Sequence, residues 1–356
     1  MKTRLKEFDY LRAIAVLAVI TIHVTSKYVT INSIAYLLNQ GVRFAVPLFI
    51  VLSGFLLYYS GMNKPKAKKS NLLLKRLNKI FIPYVVWTLI YMLYNIRNNL
   101  NAAFTLPFLS NLVKNLAYGK AAPQLYFIII ILQMYLIFGL LTKLMNSKYE
   151  KPLMLISFFI TAYINLGAYL FRWYIYIIPK TSFGYSLLFP TWLFYFVFGM
   201  YFAKHRKSFK TFLVSSKLKL GLLWILSFAA LYIDSRLSNT YGSSMKPTVM
   251  LYCFTSFLFF YSVFSISSLK ESAFVKWVSE QSFFIYFSHV LLIDIIIACF
   301  RMVRIRVVWS SIIGIALLLL LDTLASLALA YIAYRIPYSK YLGCTPKLHH
   351  MKNKRT

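Results

Sequence analysis

The first long apolar stretch, EFDYLRAIAVLAVITIHVTSKY at residues 7–28, carries an arginine at Arg12 and a histidine at His23. Arg12 and His23 are separated by 11 positions, which on an α-helix places both on one face, about 16 Å apart along the axis. A cation near one membrane surface and a deep imidazole suit an elongated ligand with an anionic head and a reactive end. The alternatives are an inner-surface anchor, with Arg12 paired to Asp9, and a helix-packing hydrogen bond for His23.

A second polar pair lies late in the chain, in the apolar segment SEQSFFIYFSHVLLID. Tyr286 and His289 are three positions apart and therefore share a helix face. Such a pair can orient a substrate or buffer a proton at depth in the membrane. A satisfied interhelical hydrogen bond is the alternative reading.

The second apolar segment, GVRFAVPLFIVLSGFLLYYSG, carries further candidates for substrate contact or support of the site. Pro47 and Gly54 are expected to bend or open the helix, and Ser53 with Gly54 allows close backbone approach. Arg43 enters near the outer surface, where it could meet a negative or hydroxyl-rich acceptor. An anchor at the outer interface is the alternative for Arg43.

A basic turn precedes the third apolar segment, in LLLKRLNKIFIPY. Lys75, Arg76 and Lys79 would meet anionic phosphates that approach from the cytosol. Charge that serves only the positive-inside rule explains these residues equally well.

The composition predicts which secondary-structure elements position these residues. Of 356 residues, 60% are apolar and only 13% are charged, with eight acidic side chains in all. Apolar runs of about 17–25 residues predict an all-α polytopic membrane protein, because lipid-exposed backbone must satisfy its own hydrogen bonds. Ten spans are predicted at 10–30, 42–61, 81–97, 124–144, 152–170, 187–203, 217–233, 247–266, 282–300 and 308–334.

The formal net charge of +32 does not indicate nucleic-acid binding, because the basic residues concentrate in alternate loops and in the tail. That bias follows the positive-inside rule and predicts that both termini are cytoplasmic. Contact with anionic membrane lipids accounts for much of the charge. The expected location is the bacterial cytoplasmic membrane, as a multi-pass cell-membrane protein.

The chain is predicted to form one membrane domain, residues 1–335, followed by a basic, loosely ordered cytoplasmic tail, residues 336–356. The first apolar run has no small-residue cleavage site and is expected to remain as a helix. Cys253, Cys299 and Cys344 share no metal-binding or redox spacing, so no metal site, disulfide framework or cysteine nucleophile is predicted.

Five segments, in order, resemble the membrane-bound acyltransferase family 3. DYLRAIAVLAVITIH resembles its Arg-x10-His motif, and PLFIVLSGFLL its second-span SG element. LLLKRLNKIFIPYVVW is similar to its basic helix, LFYFVFGMYFA to its later glycine segment, and SFFIYFSHVLLI to its near-terminal Tyr and His element. The likeness covers about residues 5–335.

The resemblance implies an enzyme of about ten helices with no permanently bound cofactor. Such enzymes move an acetyl or succinyl group from cytoplasmic acyl-CoA to a hydroxyl of an extracytoplasmic polysaccharide, wall polymer or lipid-linked glycan. The resemblance implies that His23 is the catalytic base or acyl relay and that Arg12 contacts the donor. Lys75, Arg76 and Lys79 are placed near the CoA phosphates. Polysaccharide synthase components are further expected partners.

The chain also departs from the family pattern. Gln133 stands in QLYFIIIILQMYLIF where a glutamate is expected, and Val290 replaces a proline after the late histidine. The first departure resembles the intercellular-adhesin C-like branch, so a polysaccharide exporter or flippase component is the alternative function. A bundle without catalysis that assembles a synthase complex is a third reading.

Overall fold

The computed structural model describes residues 4–62, 66–179, 184–266 and 269–347, which form helices and connecting turns with no strand in these ranges. The all-α prediction is confirmed. The helices are α1 Lys6–Thr25, α2 Ser33–Gly41, α3 Ala45–Gly61, α4 Lys66–Asn95, α5 Leu106–Tyr118, α6 Tyr126–Met145, α7 Glu150–Leu170, α8 Leu193–Ser215, α9 Lys217–Ser238, α10 Pro247–Phe264, α11 Ala273–Met302 and α12 Ile312–Tyr334.

Most of the predicted membrane spans appear as single long helices. Within the described ranges, nine stretches are long and apolar enough to cross a membrane, with α2 and α3 together forming one of them. The short α5 is amphipathic and begins with Pro107 in its first turn, which is a favoured place for proline. The chain is therefore a polytopic helical membrane protein.

The predicted span at 187–203 is the exception, because a regular apolar helix does not fill it. Two 3-10 turns, Tyr185–Leu187 and Phe189–Trp192, lead into α8, whose residues 193–200 are all buried. The helix then continues through the basic residues Lys204 to Lys207. Irregular backbone is tolerated at membrane depth only where protein covers it, so this crossing lies inside the bundle.

Side chains from two neighbouring helices satisfy the backbone of this irregular crossing. The Gln133 amide of α6 donates to Leu187 O at 2.7 Å and accepts from Phe189 N at 3.0 Å. Thr161 of α7 donates to Pro190 O, also at 3.0 Å. Gln133 is thus a structural residue that supplies both a donor and an acceptor.

Gln133→Met should destabilise the protein, because it keeps the side-chain length but leaves Leu187 O and Phe189 N unpaired. We expect a loss of about 2 kcal/mol, seen as an apparent melting temperature several degrees lower in detergent. Leu132→Met, at the adjacent position, is the matched control and should melt like the wild type. Equal melting of the two variants would show that the amide does not hold this crossing.

The close approach expected at Gly54 is confirmed, and its partner is Gly199. A Cβ added to Gly54 would lie 2.2 Å from Phe196 O, and one added to Gly199 would lie 2.1 Å from Val51 O. Both glycines are needed because α3 and α8 pack backbone against backbone, as small residues allow in membranes. Pro47 lies in the first turn of α3, where its ring and its missing N–H disfavour helix in the residues just before it, so the predicted opening of this span is present. The break in this span lies at residues 42–44, between α2 and α3.

Both described ends of the chain lie on one face of the bundle, as the predicted topology requires. Arg4 Nη1 contacts Glu280 Oε1 of α11 at 2.5 Å. The prediction of a loosely ordered tail is wrong for residues 337–347. There a 3-10 helix, Pro337–Leu342, packs on α4, where Trp87 donates to Leu342 O at 3.0 Å. Gln281 of α11 holds the residues that follow by donating to Thr345 O, also at 3.0 Å. Residues 348–356 of the tail lie outside the described ranges.

Candidate active site

The two membrane histidines meet where α1 packs against α11. The ring centroids of His23 and His289 are 5.0 Å apart, and the ring planes are inclined by 57°. His289 is completely buried midway along α11, whereas His23, near the end of α1, keeps part of its surface accessible. A pair 266 positions apart in sequence is thus joined by packing at depth in the bundle.

The hydrogen bonds of His289 define its protonation. Its Nδ1 lies 3.1 Å from Ile285 O, one turn earlier on the same helix. A carbonyl oxygen can only accept, so Nδ1 carries the proton in this contact. The other ring nitrogen, Nε2, is buried and has no hydrogen-bond partner among the described residues. This nitrogen therefore offers a lone pair inside the bundle.

Tyr286 lies beside this pair, and the centroid of its ring is 6.1 Å from the centroid of the His289 ring. The shared face predicted for Tyr286 and His289 is therefore present. The Tyr286 hydroxyl, however, donates to Gln124 O, at the turn before α6. That contact is the interhelical hydrogen bond of the alternative reading, so Tyr286 supports the site through its position.

Two residues that sequence reasoning missed hold α11 in place around His289. The Tyr91 hydroxyl of α4 donates to Phe287 O at 2.7 Å and accepts from Leu291 N at 3.1 Å. The Gln124 amide, fully buried, donates to the same hydroxyl at 2.7 Å. The only sequence signal was an amide at the edge of an apolar run, in AAPQLYF.

Arg12 does not form the ion pair that the anchor reading requires. The Asp9 carboxylate is held instead by Arg4, at 2.6 and 2.8 Å, and by the Ser279 hydroxyl at 2.7 Å. Arg12 is half-buried and makes no hydrogen bond or ion pair with any described residue. Since a membrane arginine without a partner is costly, its guanidinium is available for an anionic ligand.

Arg12 and His23 keep the spacing that the sequence predicts, because α1 runs without interruption from Lys6 to Thr25. The two side chains share one helix face at about 16 Å separation along the axis. One end of α1 therefore carries a cation without a partner in the described part of the chain, and the other carries a partly accessible imidazole.

The three basic side chains of this turn of α4 lie in two different environments. Arg76 donates to Ser60 Oγ at 3.0 Å, at the end of α3, and lies within electrostatic range of Arg12. Lys75 and Lys79 are exposed, and Lys79 lines a separate cavity of about 340 Å³ beside Lys340. Of the three predicted phosphate-binding residues, Arg76 is the one that the fold brings to Arg12.

A smaller cavity, about 140 Å³ in volume, opens between α3, α4, α6 and α8. Leu57 and Tyr58 of α3, Leu73 of α4 and Lys204 of α8 contribute to its wall. Lys204 was not singled out from the sequence, where it looked like one of several loop cations. The Lys204 ammonium forms an ion pair with Glu150 and donates to Met145 O at 2.8 Å, so this cavity offers a mainly apolar wall at the same membrane face as Arg12.

Arg43 is buried in the break between α2 and α3, so it is not an anchor at the outer interface. It donates to Gly242 O at 2.9 Å, to Tyr241 O at 2.6 Å and to the Asn39 amide oxygen. Its Nε has no partner among the described residues, and the guanidinium is within electrostatic range of His23. Ser53 is half-buried on α3, and its proposed contact with substrate remains a prediction.

The family model described as "Acyltransferase domain" matches residues 5–335. This chain belongs to the acyltransferase family 3. It is therefore an acyltransferase, held in a membrane by its many apolar helices.

Two kinds of relative resemble the chain along most of its length. One is the "Probable poly-beta-1,6-N-acetyl-D-glucosamine export protein" of Staphylococcus aureus (strain N315), 28% identical over 325 residues, or 84% of this chain and 85% of the relative. Another, of Bacillus subtilis (strain 168), carries the provisional name membrane-bound acyltransferase YfiQ. It is 26% identical over 320 residues, or 80% of each chain. No solved structure matches.

Proposed function

We propose that this acyltransferase moves an acetyl or succinyl group from cytoplasmic acyl-CoA to a hydroxyl of an extracytoplasmic polysaccharide, wall polymer or lipid-linked glycan. The observation that supports this most directly is α1 itself. It carries at one end a guanidinium that no described residue pairs with, and a partly accessible imidazole about 16 Å further along the same face. Acyl-CoA has the matching form, with phosphates at one end and a thioester at the other.

In the proposed reaction, His23 acts as the general base for the acceptor sugar. Its unprotonated nitrogen takes the proton as the hydroxyl oxygen attacks the thioester carbonyl carbon. The carbon–sulfur bond then breaks, and the CoA thiolate takes the proton back from the imidazolium. The products are an O-acyl glycan and free CoA thiol, and His23 returns to its neutral form.

The donor end is assigned to the face that holds Arg12 and Arg76. Planar guanidinium groups bind phosphate oxygens with two parallel hydrogen bonds, and Arg12 is free to do so. The small cavity between α3, α4, α6 and α8 would receive part of the donor, and the positive-inside rule assigns this face to the cytoplasm. Lys75 and Lys79, exposed on the same turn, would attract the anionic donor from solution.

An exporter is the second candidate function, because several relatives carry the name of a polysaccharide export protein. The decisive experiment uses the purified chain in proteoliposomes with radiolabelled acetyl-CoA or succinyl-CoA and an oligosaccharide of β-1,6-linked N-acetylglucosamine. Label on the oligosaccharide, with release of CoA, supports acyl transfer. Movement of the oligosaccharide across the bilayer without label supports the exporter and would overturn our proposal.

Arg12→Ala should raise the KM for acyl-CoA roughly 10–100-fold, because one charge-assisted contact to the donor is lost. We expect kcat to change little, since a contact made equally in the ground and transition states affects binding alone. The matched control is Arg97→Ala, which removes an exposed arginine that lies just after α4 and whose guanidinium donates to Tyr94 O near the end of that helix. An unchanged KM for acyl-CoA in Arg12→Ala would show that Arg12 does not bind the donor.

A further inference from the structure

We propose that His289 is the positioning residue of the proposed reaction: in the reacting arrangement its Nε2, which has no partner among the described residues, accepts a hydrogen bond from the N–H of His23. This bond holds His23 in the tautomer whose other nitrogen is free to act as base. The inference rests on the proposed function for its consequences in catalysis. Its geometric basis is the 5.0 Å separation of the two rings between α1 and α11.

The first support is the unused acceptor on His289. Because Nδ1 donates to Ile285 O at 3.1 Å, the lone pair of the neutral ring lies on Nε2. That atom is buried without a partner among the described residues, a condition that costs about 1–3 kcal/mol. A donor that reaches Nε2 removes this cost, and the ring of His23 is the adjacent group with an N–H to offer.

The second support is the rigidity of α11 at this level. Tyr91 bonds both Phe287 O and Leu291 N, and Gln124 donates to the Tyr91 hydroxyl. These contacts involve backbone groups on either side of His289 in the sequence. They therefore fix the position of its ring along the axis of α11. A catalytic base needs an orienting partner that is itself held in place, and His289 meets this condition.

The third support is electrostatic. Ser–His–Asp sites use a carboxylate to orient the histidine, but a carboxylate at this depth would need desolvation of a full charge. A neutral imidazole accepts the same hydrogen bond without that cost. When His23 takes the hydroxyl proton, its second N–H still donates to Nε2 and the positive charge remains on His23. His289 neither gains nor loses a proton in the step.

The test compares His289→Phe, which removes the acceptor, with His289→Gln, whose amide oxygen can accept in its place. We expect kcat to fall about 10–100-fold in His289→Phe, while the KM for acyl-CoA stays within about 2-fold because the Arg12 end is untouched. His289→Gln should recover most of the rate. His205→Gln, a histidine on α8 that contacts Glu150 at 3.4 Å, is the matched control and should behave as wild type.

A second readout does not depend on activity. In protein with 15N-labelled histidine in lipid nanodiscs, the ring nitrogen shifts of His23 report which nitrogen carries the proton. One tautomer is expected in the wild type and in His289→Gln, and a mixture in His289→Phe. A single His23 tautomer in His289→Phe would overturn the inference, as would a His289→Gln variant that melts like wild type but is as slow as His289→Phe. If tautomer selection is found without any acyl transfer, the inference about the pair stands and the proposed function fails.

Discussion

Replacing His23 with alanine is expected to lower kcat for acyl transfer roughly 10²–10⁴-fold, the contribution of a positioned general base. His23→Gln should lose as much, because an amide cannot take up and return a proton. The KM for acyl-CoA should remain near the wild-type value in both variants, since the donor phosphates are assigned to the opposite end of α1. The measurement is label transfer from radiolabelled acyl-CoA in proteoliposomes.

Two controls make the His23 experiment interpretable. His205→Ala removes a histidine of α8 at a half-buried site beside Glu150, and should retain full transfer. Melting curves for both variants separate a chemical defect from a folding defect. If His23→Ala melts like the wild type and transfers the acyl group at more than a tenth of the wild-type rate, His23 is not the general base.

The second large effect is expected on stability, at the contact between α3 and α8. Gly199→Ala adds a carbon atom that would lie 2.1 Å from Val51 O and 2.9 Å from Phe55 N. Both neighbours are backbone atoms, so the helices must separate along their most extensive contact. We expect a cost of about 3 kcal/mol or more, measured as a melting temperature lower by about 5–10 °C or as loss of folded protein.

Gly139→Ala provides the matched control for this prediction. Gly139 is an exposed glycine within α6, and a Cβ added there meets no atom within 4 Å. Alanine is the better helix former by about 1 kcal/mol, so this variant should be as stable as the wild type or slightly more stable. If Gly199→Ala and Gly139→Ala melt at the same temperature, the close contact between α3 and α8 does not contribute the expected stability.

Much of the architecture was predictable because its causes are local in sequence. Apolar runs of the length of a bilayer predict membrane helices without reference to neighbours, and the spans of α1, α6, α7, α9, α10, α11 and α12 follow that rule. The irregular crossing before α8 does not. Its backbone is satisfied by Gln133 and Thr161 of other helices, which no local pattern in the segment reveals.

The same distinction applies to the candidate site. The spacing of Arg12 and His23 on one helix face was predicted, because the helical repeat alone determines it. That Arg12 is unpaired was not, because Asp9 lies three positions away and its capture by Arg4 and Ser279 depends on where α11 packs. Likewise, only the fold separates Lys79 from Arg76.

The sequence by itself determined the membrane character of the chain, the shared face of Arg12 and His23, and the family resemblance, since each depends on composition or on short-range periodicity. The tertiary structure decided which polar groups find partners. His23 meets His289, Arg43 is buried against a distant loop, and the 3-10 helix after α12 is fixed on α4. Each is a contact between residues far apart in the chain, and its geometry depends on the packing of whole helices.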